Sequence, residues 1–99
     1  MFFNKKLKKL QEQQNIIYRY FRNSDKISEI EDYFDIFLFL MRKYIGDIDN
    51  QILCSTVFAK YIASFVIEET NHLSDNQIDD MRYSAKKILI DLRNGYISE

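Results

Sequence analysis

The stretch SEIEDYFDIFLFLMRKYIG, residues 28–46, decides the fold. Its centre, IFLFLM (36–41), is the longest purely apolar run in the chain and suits either a short buried strand or the middle of a helix. The flanks favour the helix. Ile30, Tyr33, Phe34, Phe37, Leu38, Met41 and Tyr44 recur at spacings of three and four, which gathers them on one helical face. Ser28 and Glu31 form an S-x-x-E capping box, Arg42 and Lys43 complement the negative end of the helix dipole, and Gly46 supplies a stop. A helix over 28–45 follows, with a strand over IFLFL as the alternative. Ile36, Phe39 and Leu40 lie off the main stripe, so this helix is apolar most of the way round and is expected to be the central one.

Outward from it, three more helices are expected. Towards the N-terminus, Phe3, Leu7, Leu10, Gln14, Ile17 and Phe21 alternate by four and three, giving a helix over 4–22 with a narrow seam. After Gly46, Asp47 and Asp49 offer an N-cap to a helix over 49–71, on which Ser55, Ala59 and Ala63 make a ridge of small residues that admits a close neighbour. Ser74 and Gln77 form another capping box and open a helix over 74–94, whose seam is Ile78, Met81, Ala85, Ile88 and Leu92 and whose stop is Gly95. Tyr96 and Ile97 are expected to fold back on that end. Short connections favour antiparallel neighbours, so the expected fold class is all-α, a single-domain up-down-up-down four-helix bundle spanning 1–99.

Composition narrows the chemistry. With 99 residues, two glycines and no proline, the chain has little material for a phosphate-cradling loop. A single cysteine excludes an intrachain disulfide framework, and no secretory-type apolar run follows Met1, so a cytoplasmic location is expected. The IFLFLM run is far shorter than the roughly 20 residues of a membrane span. Phe2, Phe3, Leu7 and Leu10 beside lysines resemble an interfacial membrane face, but they also continue into the seam of the first helix. The abundance of Ile, Lys, Asn, Phe and Tyr suits an AT-rich bacterial, phage or plasmid genome.

Catalytic patterns are sparse. Cys54 and His72 are the only thiol and imidazole, and on one helix their 18-residue separation amounts to ~27 Å. Cys54 is expected to be a small core residue. Glu69-Thr70-Asn71-His72 has the E-x-x-H spacing of carboxylate-bridged metal sites, but it occurs once, at a helix end, with a single histidine. No metal, cofactor or enzymatic activity is expected.

Charge is the informative feature. The net charge is only −1, yet residues 1–26 carry seven basic and two acidic groups while 27–99 carry seven and thirteen. Lys5, Lys6, Lys8 and Lys9 crowd the positive end of the first helix, and Glu68 and Glu69 crowd the negative end of the third, each against the helix dipole. On an up-down bundle these departures become coherent, with nine basic against four acidic groups at one end and four against ten at the other. Such a field orients charged partners more than it stabilises a fold.

The expected function is therefore a protein-binding module. Its acidic pole, Glu68, Glu69, His72, Asp75, Asp79 and Asp80, would dock a basic protein such as a toxin or nuclease, as a small bacterial, phage or plasmid inhibitor or immunity-type protein does. A homo-oligomeric assembly protein, using helix seams or pole-to-pole contacts, is one alternative. Anion or nucleic-acid binding through Lys5, Lys6, Lys8 and Lys9, with Tyr18–Arg22 nearby, is another.

Overall fold

The computed structural model describes residues 2–96, apart from the side chains of Phe2, Phe3 and Ile67. The seam position Phe3, the membrane-facing reading of Phe2, the fold-back of Ile97 and the charge of Glu99 lie outside the described residues. Every regular element among the described residues is helical: α1 (Phe2–Asn23), α2 (Ile27–Lys43), α3 (Ile48–Ala63), α4 (Ile67–Thr70) and α5 (Asp75–Asn94). IFLFLM thus lies within α2, and the strand alternative falls away.

The central helix is α3, not the helix over 28–45 that apolar density suggests. Helix α3 packs against α1, α2 and α5, whereas α2 touches α1 only lightly. Asn50, Cys54, Ser55, Val57, Phe58, Ala59, Tyr61 and Ile62 are all buried on it, and only Asp49 and Lys60 are exposed. Helix α2 instead keeps a wet face with Asp32, Asp35 and a half-exposed Phe39, while Leu40, off the expected stripe, is fully buried.

The most extensive backbone contact is between α1 and α3, which are not consecutive in the chain. Helical phase accounts for it. Gln51 and Ser55 reach α2, donating to the Met41 carbonyl (3.0 Å) and to the Met41 sulfur (3.8 Å). Ser64 binds Arg82 of α5 on another side. At 100° per residue, the remaining side of α3 presents Ala59 and Ala63, with Ser55 at its border, and it is the side left for α1. Leu10, Ile17 and Tyr20 of α1 are buried, while Leu7 on the expected seam is 39% exposed. A heptad drifts about 20° on a straight helix, which moves the buried line off Leu7 at one end and onto Tyr20 at the other.

An aromatic ladder crosses the core. Phe21 stacks on Phe34 at 4.6 Å, Phe34 meets Phe58 at 5.9 Å, and Phe58 stacks on Phe37 at 5.1 Å. Tyr61 meets Tyr33 and Phe65 edge-on, and its hydroxyl donates to the Glu29 carbonyl at 3.2 Å, satisfying a buried phenol.

Helix ends follow local chemistry with two corrections. Asp47 caps α3, its carboxylate accepting from the Asn50 amide at 3.2 Å and from the Asn50 side chain at 2.8 Å. Ser74 and Gln77 form the expected capping box on α5, and Gly95 ends that helix with φ 78° while Tyr96 N–H folds back to the Asp91 carbonyl at 2.8 Å. Ser28, however, caps nothing. Helix α2 starts a residue earlier, after Lys26, and the turn before it is closed by Ser24, whose hydroxyl accepts from the Lys26 amide at 3.0 Å.

The helix expected over 49–71 is the second correction, because it breaks at Ala63. Phe65 and Val66 amides bond three residues back, to Ile62 and Ala63, and Val66 is extended. The Ser64 carbonyl accepts from the Arg82 guanidinium at 2.8 Å, in competition with the amide of Glu68 that a continuous helix would bring to it.

Two outcomes follow from this packing. Ala59→Leu forces methylenes into the α1–α3 contact and lowers unfolding free energy by ~1–3 kcal/mol, measured by urea titration, while the same change at exposed Lys60 has little effect. Burial pushes the Tyr61 phenol up to about 12 and the Cys54 thiol up to about 11. Both groups are held neutral by folding, so their contribution is intact below the ordinary values near 9 and 10 and is lost as pH rises through the raised ones. Thermal stability should fall steeply above about pH 9, by ~1.4 kcal/mol per pH unit for each such group, and Tyr61→Phe should flatten the upper part of that decline.

Candidate functional site

The break after α3 determines how the acidic residues are displayed. Glu68 and Glu69 sit on α4, His72 in the turn that follows, and Asp75, Asp79 and Asp80 on the first two turns of α5; all six are exposed. They form one continuous acidic segment carried by two helices and a turn. The expected conflict of Glu68 and Glu69 with the dipole of a long third helix does not arise, because that helix has already ended. The start of α2 joins the same end of the molecule, since Tyr61 near the end of α3 reaches Glu29, and Lys26 pairs with Glu29 at 3.8 Å.

Arg82 is the base on which this segment stands. Its guanidinium donates to the Ser64 hydroxyl at 2.9 Å and the Ser64 carbonyl at 2.8 Å and lies 4.0 Å from the centre of the Phe65 ring. The remaining edge approaches Asp79 at 3.8 Å. The Ser64 hydroxyl in turn donates to the Tyr61 carbonyl at 2.6 Å. One planar cation thus closes the end of α3, stacks on an aromatic ring and ties α5 to the junction, a combination that lysine does not reproduce. Burial raises the Tyr20 phenol, and the neighbouring Glu69 carboxylate raises it further.

Several basic groups have partners away from that segment. Lys6 pairs with Asp49 at 2.9 Å, joining the start of α1 to the first turn of α3. This offsets part of the cost of lysines at a positive helix terminus, while Lys5, Lys8 and Lys9 stay exposed. Lys43 leaves its own helix end and caps another, donating to the Leu92 and Arg93 carbonyls of α5 at 3.1 and 3.2 Å, with the Tyr44 hydroxyl 3.3 Å from the Leu92 carbonyl. Lys86 lies over the rings of Tyr33 and Tyr61, at 5.2 and 5.7 Å.

Cys54 and His72 occupy different settings. The thiol is fully buried and burial holds it protonated, which removes its nucleophilic form at neutral pH, while His72 is exposed beyond α4. The Glu69–His72 spacing spans α4 and a turn, and among the described residues no group of three or more His, Cys, Asp and Glu side chains converges as a metal site. No helix among the described residues is long and apolar enough to cross a membrane. Tyr18, Arg19 and Arg22, noted for their likeness to a nucleic-acid surface, line a shallow cleft of about 370 Å³ with Asn15 and Asn23 on α1 alone. The only local mark of the role of Arg82 in the sequence is its place beside Met81, at the edge of the α5 seam.

Replacing Arg82 with Ala removes both bonds to Ser64 and the contact with Phe65 and should lower stability by ~2–3 kcal/mol. Amide exchange across 64–70 should accelerate more than the global change requires, and Arg82→Lys should recover less than half of the loss. No protein-family model, curated protein or solved structure matches this chain.

Proposed function

We propose that this chain is a non-enzymatic protein-binding module of the cytoplasm, a bundle of four long helices alternating in direction, whose acidic pole docks a basic protein. The observation that carries the reading is the separation of charge. Lys6–Asp49 and the Lys43 cap on α5 support one end at which α1 and α3 begin and α2 and α5 finish. Tyr61–Glu29 and Arg82–Ser64 support the opposite end, where Glu68, Glu69, His72, Asp75, Asp79 and Asp80 are exposed on a braced support. A rigid acidic surface on a small domain steers a basic partner and fixes its orientation, and the Coulomb field needs no cleft. Among such modules, a bacterial, phage or plasmid inhibitor or immunity-type protein that covers the basic surface of a toxin or nuclease fits the size and the charge distribution.

The test is native mass spectrometry of the tagged chain captured from its source lysate at low salt, with nuclease treatment as a control. A stoichiometric basic protein should be recovered, lost at ~0.5 M salt, and lost with Glu68→Lys/Asp80→Lys, two exposed sites outside the core. Capture unchanged by both salt and charge reversal rules the acidic pole out, and a nuclease-sensitive mass transfers the function to nucleic acid.

A further inference from the structure

The outer face of the α2–α5 pair is apolar along its middle and oppositely charged along its two edges. Ile36 and Phe39 of α2 and Tyr83 and Ile90 of α5 line its middle; Phe39 is 49% and Tyr83 68% exposed. Two shallow grooves of about 470 and 340 Å³ follow it. On the α2 side stand Asp32 and Asp35 and on the α5 side Lys87, all three exposed and none in an ion pair among the described residues, while Arg93 shares the groove of Asp32 and Asp35. Asp35 and Lys87 border this apolar surface and form no ion pair with each other.

A second copy of the chain completes this face. From these edges we infer that it is an isologous dimer interface whose two-fold axis runs parallel to α2 and α5. Rotation about such an axis lays the acidic edge of each copy on the basic edge of the other, whereas an axis across the helices would set like charges together. The heights agree. Tyr33 lies level with Lys86 and Lys43 with Leu92, so Asp35 stands at about the height of Lys87. Phe39 on α2 then buries against the face of α5 that carries Tyr83 and Ile90 in the other copy. Two helices about 25 Å long and ~9 Å apart offer on the order of 500 Å² per copy, the low end of specific interfaces, so the dimer is reversible. This surface is independent of the acidic pole proposed to dock a basic protein.

Sedimentation velocity of the full chain from roughly 10 µM to roughly 1 mM tests it, since a small interface gives a micromolar constant. The expected result is a monomer–dimer equilibrium that weakens with salt and is weakened at least tenfold by Asp35→Lys or by Lys87→Glu alone. Mixing the two variants should restore association, because in the mixed dimer each altered residue faces its opposite charge. Circular dichroism melts of both variants should match the parent, as both sites are exposed. A chain that stays monomeric across the range overturns the inference. So do variants that dimerise as tightly as the parent, a mixture no tighter than its components, or a dimer that responds to Glu68→Lys instead.

Discussion

The burial of α3 is the constraint on which the other elements depend. A helix with only Asp49 and Lys60 exposed must be covered on nearly every side. It divides its circumference among three neighbours: helical phase leaves the side of Ala59 and Ala63 for α1, the aromatic rings of Phe58 and Tyr61 meet the aromatic side chains of α2, and Val57 with Ser64 turns towards α5. Close approach at the ridge and ring contact elsewhere are the two ways to fill space around one rod at interior density. The remaining polar groups of that rod are matched to neighbouring helices. Tyr61 finds a carbonyl of α2, Gln51 finds another, and Ser64 accepts from α5.

Charge is organised around the same helix. Its first turn supplies Asp49 to Lys6 of α1, and its end is closed by Arg82. These contacts use a few charges for structure and leave the others at the surface, where solvent screens each one and only their sum has reach.

Much of the fold was legible because it rests on local rules. Helix α2 was readable through IFLFLM from its flanking spacing, and the Asp47 cap, the Ser74–Gln77 capping box and the Gly95 stop each depend on residues within one turn of one another. The ridge of Ser55, Ala59 and Ala63 was readable for the same reason. The false cap at Ser28 shows the limit of such rules: Ser24 closed the preceding turn first and advanced the helix start by a residue. Of the acidic surface, the residues were legible, since they are contiguous in the chain, but their support was not. Arg82 is 18 positions from Ser64, and nothing local distinguishes a guanidinium that braces a helix end from one in solvent.

The sequence by itself determined that this chain is helical, where most helices start and stop, and that its charge is unevenly distributed. These follow from periodicity, capping and composition, which act over a few residues. Only the tertiary structure decided that α3 rather than α2 is central, that the third helix breaks at Ala63, and which charges remain on the surface. Apolar density along α2 exceeds what one core can absorb, so part of it, Phe39 above all, stays outside. Which helix is enclosed depends on residue size at facing positions, and a helix breaks where a distant side chain takes its carbonyl; both are relations between segments, and neither is written within one.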